Sequence, residues 1–336
     1  MKSTRIEAEV FMPKDALTHI RQKHSESCKA DLPDMHLSNF LFNVKTIHNY
    51  PGILGFEKIF KKTPAVIVGA GPSLDSKTVE LLKKYRDNII IISVDAALPV
   101  LVGKYDLYPH FVCMVDPTEK QKDNFKGIDT TKFYSIIPTV VHPSIFRTID
   151  PQHLAVYSIK DSGSTLLELA PYHTGKIGAL PAGVLTSGTC FAFAAIMGCN
   201  PLMFVGHSLS WPDTEHVYAD GIDQKKIDFQ KGAKFRGGCL LFPDIDGKLV
   251  LTHETFVVFW AWVNDMAHRM KQKVLNCSGA GILKSRDIKA VPFKDALKKY
   301  CSKELVGVDE TIKKAYKYQV SDGYIEKLLT PDFKRI

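Results

Sequence analysis

The stretch Thr63-Pro-Ala-Val-Ile-Val-Gly-Ala-Gly-Pro-Ser-Leu-Asp75 decides the fold of this 336-residue chain. Its apolar run Ala65–Val68 predicts a strand that is buried on both faces, as in a parallel sheet. A glycine turn over residues 69–73 follows and leads into a helical pattern over residues 75–85. This order forms an anion site, because unpaired N–H groups at the helix start point at the ligand. The stretch therefore predicts an α/β protein that binds a phosphate-bearing molecule such as a nucleotide.

Five residues of this stretch make up the predicted phosphate-binding set. Gly69 and Gly71 let the backbone come close to a ligand. Pro72 and Ser73 suit the first turn of a helix, as a proline at the first helical position and a capping hydroxyl. Leu74 completes the set.

Two alternatives stay open for this motif. The dinucleotide fingerprint requires a third small residue where Leu74 stands, and the P-loop requires a Gly-Lys-Ser/Thr that is absent. Asp95 nevertheless ends the next predicted strand, where a dehydrogenase carries its ribose-binding acid, and this keeps a nicotinamide dinucleotide as one alternative ligand. The other alternative is a strand-to-helix turn that binds nothing, since such turns are common in α/β folds.

The composition is typical of a soluble globular protein, with 45% hydrophobic and 24% charged residues. The strongest apolar run, residues 256–263, is far shorter than the roughly 18 to 20 residues of a membrane span. The N-terminal residues lack the apolar core of a signal peptide, which predicts a cytoplasmic location. The net charge of +8 is not gathered into a dense basic block, which argues against a nucleic-acid partner.

The seven cysteines are dispersed and include no Cys-x-x-Cys pair. This distribution predicts reduced thiols and no zinc site. Cys113, Cys190 and Cys199 lie inside apolar segments and are expected to pack in the core. The four histidines of the first sixty residues also lack metal-ligand spacing, so no metal site is predicted.

From Pro64 onward, strand and helix patterns alternate, which predicts a Rossmann-like, mainly parallel sheet with helices on both faces. The predicted strands are residues 65–68, 89–94, 111–115, 133–137, 154–157, 202–205 and 273–276, and the predicted helices are residues 75–85, 164–170, 189–197, 253–270 and 293–300. The predicted domains are an N-terminal helical appendage over 1–62, the Rossmann-like domain over 63–304 and a C-terminal helical tail over 305–336.

In such folds, ligands bind beyond the carboxyl ends of the strands. This rule brings the glycine turn, Asp95, Asp116 and residues 206–210 to one edge of the sheet. A second phosphate-type turn precedes the predicted helix 189–197, where Thr186 or Ser187 is expected to cap the helix and Gly188 allows close approach of a ligand. Ordinary capping without a ligand is the alternative.

Three histidines are candidates for acid–base chemistry. His207 and His216 lie with Tyr218 in a polar loop behind the strand 202–205, where a lid or acceptor loop is expected, although loop histidines are usually only solvated. His253 opens the helix 253–270, and the helix dipole favours its neutral form, which suits a general base. A capping or surface role is the alternative for His253.

The combined order of motifs resembles the central, MptE-like domain of motility-accessory-factor proteins, which are flagellin glycosyltransferases for sialic-acid-like sugars. The motifs are Val68-Gly-Ala-Gly-Pro-Ser-Leu74, Ile92-Ser-Val-Asp-Ala-Ala97, Pro109-His-Phe-Val-Cys-Met-Val-Asp-Pro117, Leu185-Thr-Ser-Gly188, Met197-Gly-Cys-Asn-Pro201, Phe204-Val-Gly-His-Ser-Leu209 and Asn276-Cys-Ser-Gly-Ala-Gly281. More distantly, the chain resembles bacterial sialyltransferases that use CMP-sialic acid, whose catalytic histidine matches His253. It departs from those enzymes at Ala70, where they carry asparagine, and from the motility factors at Ser208, where an acid is usual.

The resemblance implies a transferase that moves a nonulosonic sugar from a CMP-activated donor to a hydroxyl of a glycan or protein. The glycine turn would hold the phosphate, and Asp95, Ser187 and Gly188 would meet the ribose or cytosine. Because the leaving group is a single phosphate that protein donors can stabilise, no cofactor is expected.

The resemblance also assigns the chemistry. His253 would deprotonate the acceptor hydroxyl, and His216 or Tyr218 would stabilise the departing phosphate. A homo-oligomer is compatible with these assignments.

Two other functions remain open. The archaeal MptE enzymes pyrophosphorylate a hydroxymethylpterin with ATP and magnesium, and they share the glycine turn and an acidic strand end like Asp116. Asp116 and Glu119 alone supply fewer carboxylates than a two-magnesium site needs. The third function is that of a nucleotide-binding module without catalysis.

Overall fold

The computed structural model of the protein describes residues 18, 32–160, 177–181, 184–211, 216–222 and 238–317. Its strands are β1 (Ala65–Val68), β2 (Ile90–Val94), β3 (Phe111–Cys113), β4 (Tyr134–Pro138), β5 (Leu154–Lys160), β6 (Ala179–Pro181), β7 (Leu202–Val205), β8 (Cys239–Pro243), β9 (Leu249–His253), β10 (Val274–Asn276) and β11 (Ile288–Ala290). Its helices are α1 (Leu32–Ile47), α2 (Ser76–Lys84), α3 (Ile145–Thr148), α4 (Thr186–Ile196), α5 (Glu254–Arg269), α6 (Phe293–Tyr300) and α7 (Val308–Tyr316).

Nine of the strands form one sheet in the order β11-β10-β7-β1-β2-β3-β4-β5-β6, and every neighbouring pair is parallel. The chain runs outward from β1 to β6 and then returns to the other side of β1 with β7. The order of the strands therefore reverses between β1 and β7, and open α/β sheets bind their ligands at this kind of position.

The central strands are apolar along their whole length, because both of their faces are covered. All four residues of β1, all five of β2 and all four of β7 are buried. Helix α4 packs across β1, β2 and β3. Phe56, Phe111 and Phe193 meet edge to face at centroid distances of 5.2 to 5.7 Å. The predicted α/β architecture with a mainly parallel sheet is confirmed.

The predicted strands fit the observed ones to within two residues, except that β5 runs three residues further. Two helix starts differ from the prediction. Helix α2 begins at Ser76, and Asp75 caps it by accepting from the Thr78 amide at 2.8 Å, so the expectation that Pro72 and Ser73 form its first turn is wrong. Helix α4 begins three residues before the predicted start. The predicted helix over residues 164–170 lies outside the described residues.

Helix α1 packs at the carboxyl ends of β3 and β4. The side-chain amide of Asn39 donates to the carbonyls of Pro117 and Val140, both at 2.9 Å. One turn later, the amide of Asn43 donates to the carbonyls of Thr139 and Val141 at 3.0 and 2.8 Å. These four bonds hold α1 against the edge of the sheet where ligands of such folds bind.

Cys113, Cys190 and Cys199 are buried, as predicted. Within the described part of the chain, no cysteine pair is bonded and no helix is both long and apolar enough to cross a membrane.

Candidate functional site

Two loops cross at the reversal of strand order. The first follows β1 and contains the glycine turn, and the second, residues 206–211, follows β7. The Gly69 amide donates to the Val205 carbonyl at 2.9 Å, and the Gly71 amide donates to the Gly206 carbonyl at 3.0 Å. A methyl group on Gly69 would lie 2.6 Å from the Gly206 oxygen, and one on Gly71 would lie 2.7 Å from it. The glycines are therefore required by the contact between the two loops.

Only some amides of the glycine turn are free for a phosphate. Besides Gly69 and Gly71, Leu74 uses its amide, which donates to the Gly71 carbonyl at 2.9 Å, and its side chain is buried. Pro72 and Ser73 are the central residues of the β-turn that this bond closes. Among the described residues, the amides of Ala70 and Ser73 have no acceptor, and both residues are half-buried. A phosphate at this turn would have to be bound by these two amides.

The second helix start lies directly behind the turn. Ser187, the second residue of α4, has its hydroxyl oxygen 2.6 Å from Nε2 of His207. The Nδ1 atom of this buried ring lies 2.8 Å from the Val205 carbonyl, so Nδ1 carries the proton and Nε2 accepts from the serine. Burial lowers the pKa of His207 to about 4. At neutral pH, His207 therefore fixes the hydroxyl of Ser187 and is a poor proton acceptor.

Hydrogen bonds of three serines connect the loop after β7 to the loops after β1 and β10. Ser208 donates to the hydroxyl of Ser73 at 2.8 Å. The amide of His207 donates to the hydroxyl of Ser278 at 3.0 Å. The carbonyl of Ser208 accepts from Ile282 at 2.9 Å, and a methyl group on Gly281 would lie only 1.6 Å from that carbonyl oxygen. The loop after β10 thus packs against the loop after β7 and forms hydrogen bonds with it.

The helix start of α4 differs from the predicted one. Leu185 precedes the helix and makes no side-chain capping bond, so the expected cap by Thr186 or Ser187 is wrong. The amide of Gly188 donates to the Leu185 carbonyl at 2.8 Å. Thr186 is half-buried at the first helical position, while Gly188 is buried.

Two acids lie at the carboxyl ends of the next strands. Asp95 follows β2, is buried, and accepts from the side-chain amide of Asn124 at 2.8 Å. Burial raises the pKa of Asp95 to about 6, and the nearby charge of Asp116 adds to the effect. Asp116 is exposed and accepts from the Thr118 amide at 2.8 Å. His36 on α1 is close enough for Asp116 to act on its pKa, which burial lowers.

His253 ends β9 and caps α5, which confirms that it opens this helix. Its Nδ1 accepts from the Thr255 amide at 3.2 Å, so the neutral ring carries its proton on Nε2. The side chain is only 1% exposed and packs against Trp211 and Phe256 at centroid distances of 6.2 and 6.3 Å. Thr252 donates to the Leu209 carbonyl at 2.6 Å, which joins β9 to the loop after β7.

His216 and Tyr218 lie on a segment, residues 216–222, that covers the glycine turn. The Ala219 amide donates to the Ala70 carbonyl at 2.9 Å, which places Tyr218 beside the turn. Burial raises the pKa of Tyr218, whereas His216 is exposed. Asp220, on the same segment, forms an ion pair with Lys104 at 2.7 Å.

The structure thus gathers the glycine turn, Ser187, His207 and Tyr218 at the carboxyl ends of β1 and β7, and places Asp95 and Asp116 on the neighbouring strand ends. His253 is joined to this group of residues through the loop 206–211. Sequence reasoning missed Asn124, Ser278 and the packing role of Gly281. Asn124 has no local signal, because its partner Asp95 lies 29 residues away.

A parallel sheet with polar loops at the reversal of strand order defines a Rossmann-like α/β protein, a class whose ligands bind at the carboxyl edge of the sheet. The family model described as 6-hydroxymethylpterin diphosphokinase MptE-like matches residues 38–214. Since this segment is more than half of the chain, the protein belongs to the MptE-like family, which confirms the resemblance seen in the sequence.

A similar solved structure is that of the Maf glycosyltransferase from Magnetospirillum magneticum AMB-1. The identity is 15% and the TM-score is 0.59, with 90% of this chain and 45% of that chain covered. At this identity the likeness describes the fold, and the present chain spans less than half of the length of that protein. No curated protein matches at a significant level.

Proposed function

We propose that this protein is a glycosyltransferase that moves a nonulosonic sugar from a CMP-activated donor to a hydroxyl acceptor. The observation that carries the proposal is the meeting of the loops after β1 and β7, where the half-buried amides of Ala70 and Ser73 lie beside two serine hydroxyls. Such a set of donors suits a single phosphate. The similarity in fold to a Maf glycosyltransferase supports the same class of reaction.

The geometry suggests how the other residues would act. Because Ser187 donates its proton to His207, its oxygen can only accept from a ligand, which suits a ribose hydroxyl or a cytosine amino group. Tyr218, beside the turn, would donate to the departing phosphate. His253 remains the candidate base, and the 3.2 Å bond to its Nδ1 would have to open when the acceptor binds. His216, Asp95 and Gly188 keep their proposed contacts with the donor.

Ligand binding tests the donor class. We expect CMP to stabilise the protein against heat more than CDP, NAD or ATP with magnesium, since a ligand at a hundred times its dissociation constant adds about 2.7 kcal/mol. A thermal-shift panel with these four ligands measures the effect. Preference for NAD would favour the dinucleotide alternative, and no binding of any nucleotide would favour a module without this activity.

A transfer assay tests the chemistry. We expect His253→Ala to lower kcat for sugar transfer by about a hundredfold or more, the usual contribution of a general base. His268→Ala is the matched control, because His268 is an exposed histidine near the other end of the same helix. Full transfer activity in His253→Ala, with CMP binding unchanged, would remove His253 from the mechanism while leaving the donor assignment intact.

The second candidate is a pterin diphosphokinase, which the family description and the proximity of Asp95 to Asp116 favour. Its magnesium ions would need more carboxylates than these two, and within the described residues no three potential metal ligands come together. The residues present therefore do not fit such a site. Chelator-sensitive transfer of pyrophosphate from ATP that Asp116→Ala abolishes would establish this candidate instead.

A further inference from the structure

A cavity of about 620 Å³ lies at the amino ends of the strands, at the edge of the sheet opposite to the glycine turn. Tyr108, Phe133 and His153 line it: Phe133 and His153 directly precede β4 and β5, and Tyr108 lies in the segment that leads into β3. Because neighbouring strands are parallel, these positions share one edge of the sheet, which we call the amino edge. The volume is within the range of about 300 to 1,000 Å³ that small-molecule sites occupy.

The lining of this cavity carries an excess of positive charge. Its basic residues are Lys83, Arg86, Lys132 and Lys313, and its acidic residues are Asp106 and Asp309. Within the part of the chain that the structure describes, none of the three lysines forms an ion pair, and Arg86 approaches only Asp87, at 4.0 Å. The four basic groups outnumber the two acids of the lining, and such an excess of positive charge attracts an anion.

Aromatic rings lie among these cations. Tyr108 and Phe133 are stacked at a centroid distance of 6.5 Å, and the ammonium group of Lys132 lies 4.5 Å from the centre of the Tyr108 ring. Tyr134 also lines the cavity, and burial raises the pKa of its hydroxyl, which therefore stays protonated and able to donate at neutral pH. The cavity thus offers ring surfaces and positive donors side by side.

We propose that this amino-edge cavity binds a phosphomonoester joined to a ring, such as a mononucleotide or a cyclic sugar phosphate. The lysines and Arg86 would hold the dianionic phosphate, since ammonium and guanidinium groups bind phosphate through charge-assisted hydrogen bonds. The rings of Tyr108 and Tyr134 would pack against the ring of the ligand. This site is separate from the proposed donor site, and it would exist whether or not the protein transfers a sugar.

Three small probes separate the contributions of ring and charge. Phenyl phosphate carries both features, inorganic phosphate carries only the anion, and phenol carries only the ring. By isothermal titration calorimetry at low salt, we expect phenyl phosphate to bind with saturation, at least tenfold more tightly than either of the other two. Uridine monophosphate and glucose 6-phosphate then distinguish a nucleotide from a sugar phosphate.

The double variant Lys132→Gln/Lys313→Gln locates the binding. We expect it to bind phenyl phosphate at least tenfold more weakly, because two cations of the lining are removed. The double variant Lys294→Gln/Lys298→Gln loses the same charge from exposed positions on α6 that do not line the cavity, and we expect its affinity to stay within twofold.

The lysines to be exchanged are exposed, so both double variants are expected to keep the melting temperature of the wild type. Two results would overturn the proposal: wild-type protein that does not bind phenyl phosphate with saturation, or equal affinity in the two double variants. Neither result bears on CMP binding or sugar transfer, so the proposed function would stand or fall separately.

Discussion

At the scale of single residues, the close contact between the glycine turn and the loop after β7 leaves no room for side chains. The carbonyl oxygen of Gly206 lies within 2.7 Å of where a methyl group on Gly69 or Gly71 would be. Gly206 itself has a φ of +70°, which other residues rarely adopt. The two loops can therefore approach each other only if all three positions are glycine.

This contact predicts the effect of adding one methyl group. We expect Gly69→Ala to lower the free energy of unfolding by about 1 to 3 kcal/mol, because the new methyl group would overlap the Gly206 carbonyl and the ring of His207. Gly103→Ala is the control, since nothing lies within 4 Å of its added methyl group. Urea denaturation measures both variants. Equal stability of the two would show that the loops separate readily.

Residue roles at this site could be predicted only in part. The sequence predicts the glycine turn because its signal is local, but it does not predict the hydrogen bonds that occupy two of its amides. The amides of Gly69 and Gly71 donate to the carbonyls of residues 205 and 206. No local sequence pattern predicts a contact between residues so far apart in the chain. Ser187 and His207 were both singled out as candidates, yet their 2.6 Å contact depends on the packing of α4 against β7.

At the scale of elements, α1 is attached to the sheet by polar contacts at buried positions. Asn39 and Asn43 are four residues apart, so they lie on one face of the helix, and both are buried. Their amides satisfy four carbonyls at the carboxyl ends of β3 and β4. Without these donors, the carbonyls would be buried without partners.

This arrangement predicts the effect of removing the amide. We expect Asn39→Leu to lower the free energy of unfolding by about 1 to 3 kcal/mol, because the carbonyls of Pro117 and Val140 lose their donor. Ser38→Ala, at an exposed position of the same helix, should change stability by less than about 0.5 kcal/mol. Chemical denaturation tests both. If Asn39→Leu were as stable as Ser38→Ala, α1 would be held by its apolar contacts alone.

Elements that consist of continuous apolar residues can be predicted from the sequence, whereas short or exposed elements cannot. Strands β1, β2 and β7 are continuous apolar runs, which is why their bounds were nearly correct. The sequence does not predict the hairpin of β8 and β9, because the apolar residues of these short strands are consecutive rather than alternating with polar ones. The strands of this hairpin are also partly exposed, with Leu241 and Leu249 each 62% exposed. A signal was present in its turn, where Asp244 accepts from the amides of Asp246 and Lys248. Asp-x-Asp-Gly is a turn-forming sequence.

At the scale of the whole molecule, buried ionisable groups should make stability depend on pH. Burial lowers the pKa of His207 to about 4 and that of His110 to about 3, from an ordinary value near 6.5. Below pH 6.5 these two histidines therefore bind protons in the unfolded chain but not yet in the folded chain. This difference lowers the stability as the pH is lowered. Asp95 acts in the opposite direction, because its pKa is raised to about 6 and the folded chain takes up this proton first.

We expect the free energy of unfolding to fall between pH 7 and pH 5, because the two histidines together remove about 4 kcal/mol and Asp95 restores about 1 kcal/mol. His110→Gln should make this fall smaller by about 2 kcal/mol, since glutamine does not titrate and can accept from Ile91 as His110 does at 3.0 Å. His268→Gln, at an exposed histidine, is the control. Urea unfolding at several pH values measures the slope. An unchanged slope in His110→Gln would contradict this account.

The position of β1 inside the sheet affects how the protein is made. β1 pairs with β2 about twenty residues later in the chain, but its other neighbour, β7, begins only at Leu202. During translation, one side of an entirely apolar strand therefore remains unpaired until more than a hundred further residues have left the ribosome. Unpaired strand edges promote association with other chains. The nascent chain is thus most exposed to aggregation before β7 emerges, and chaperone binding should be concentrated in that interval.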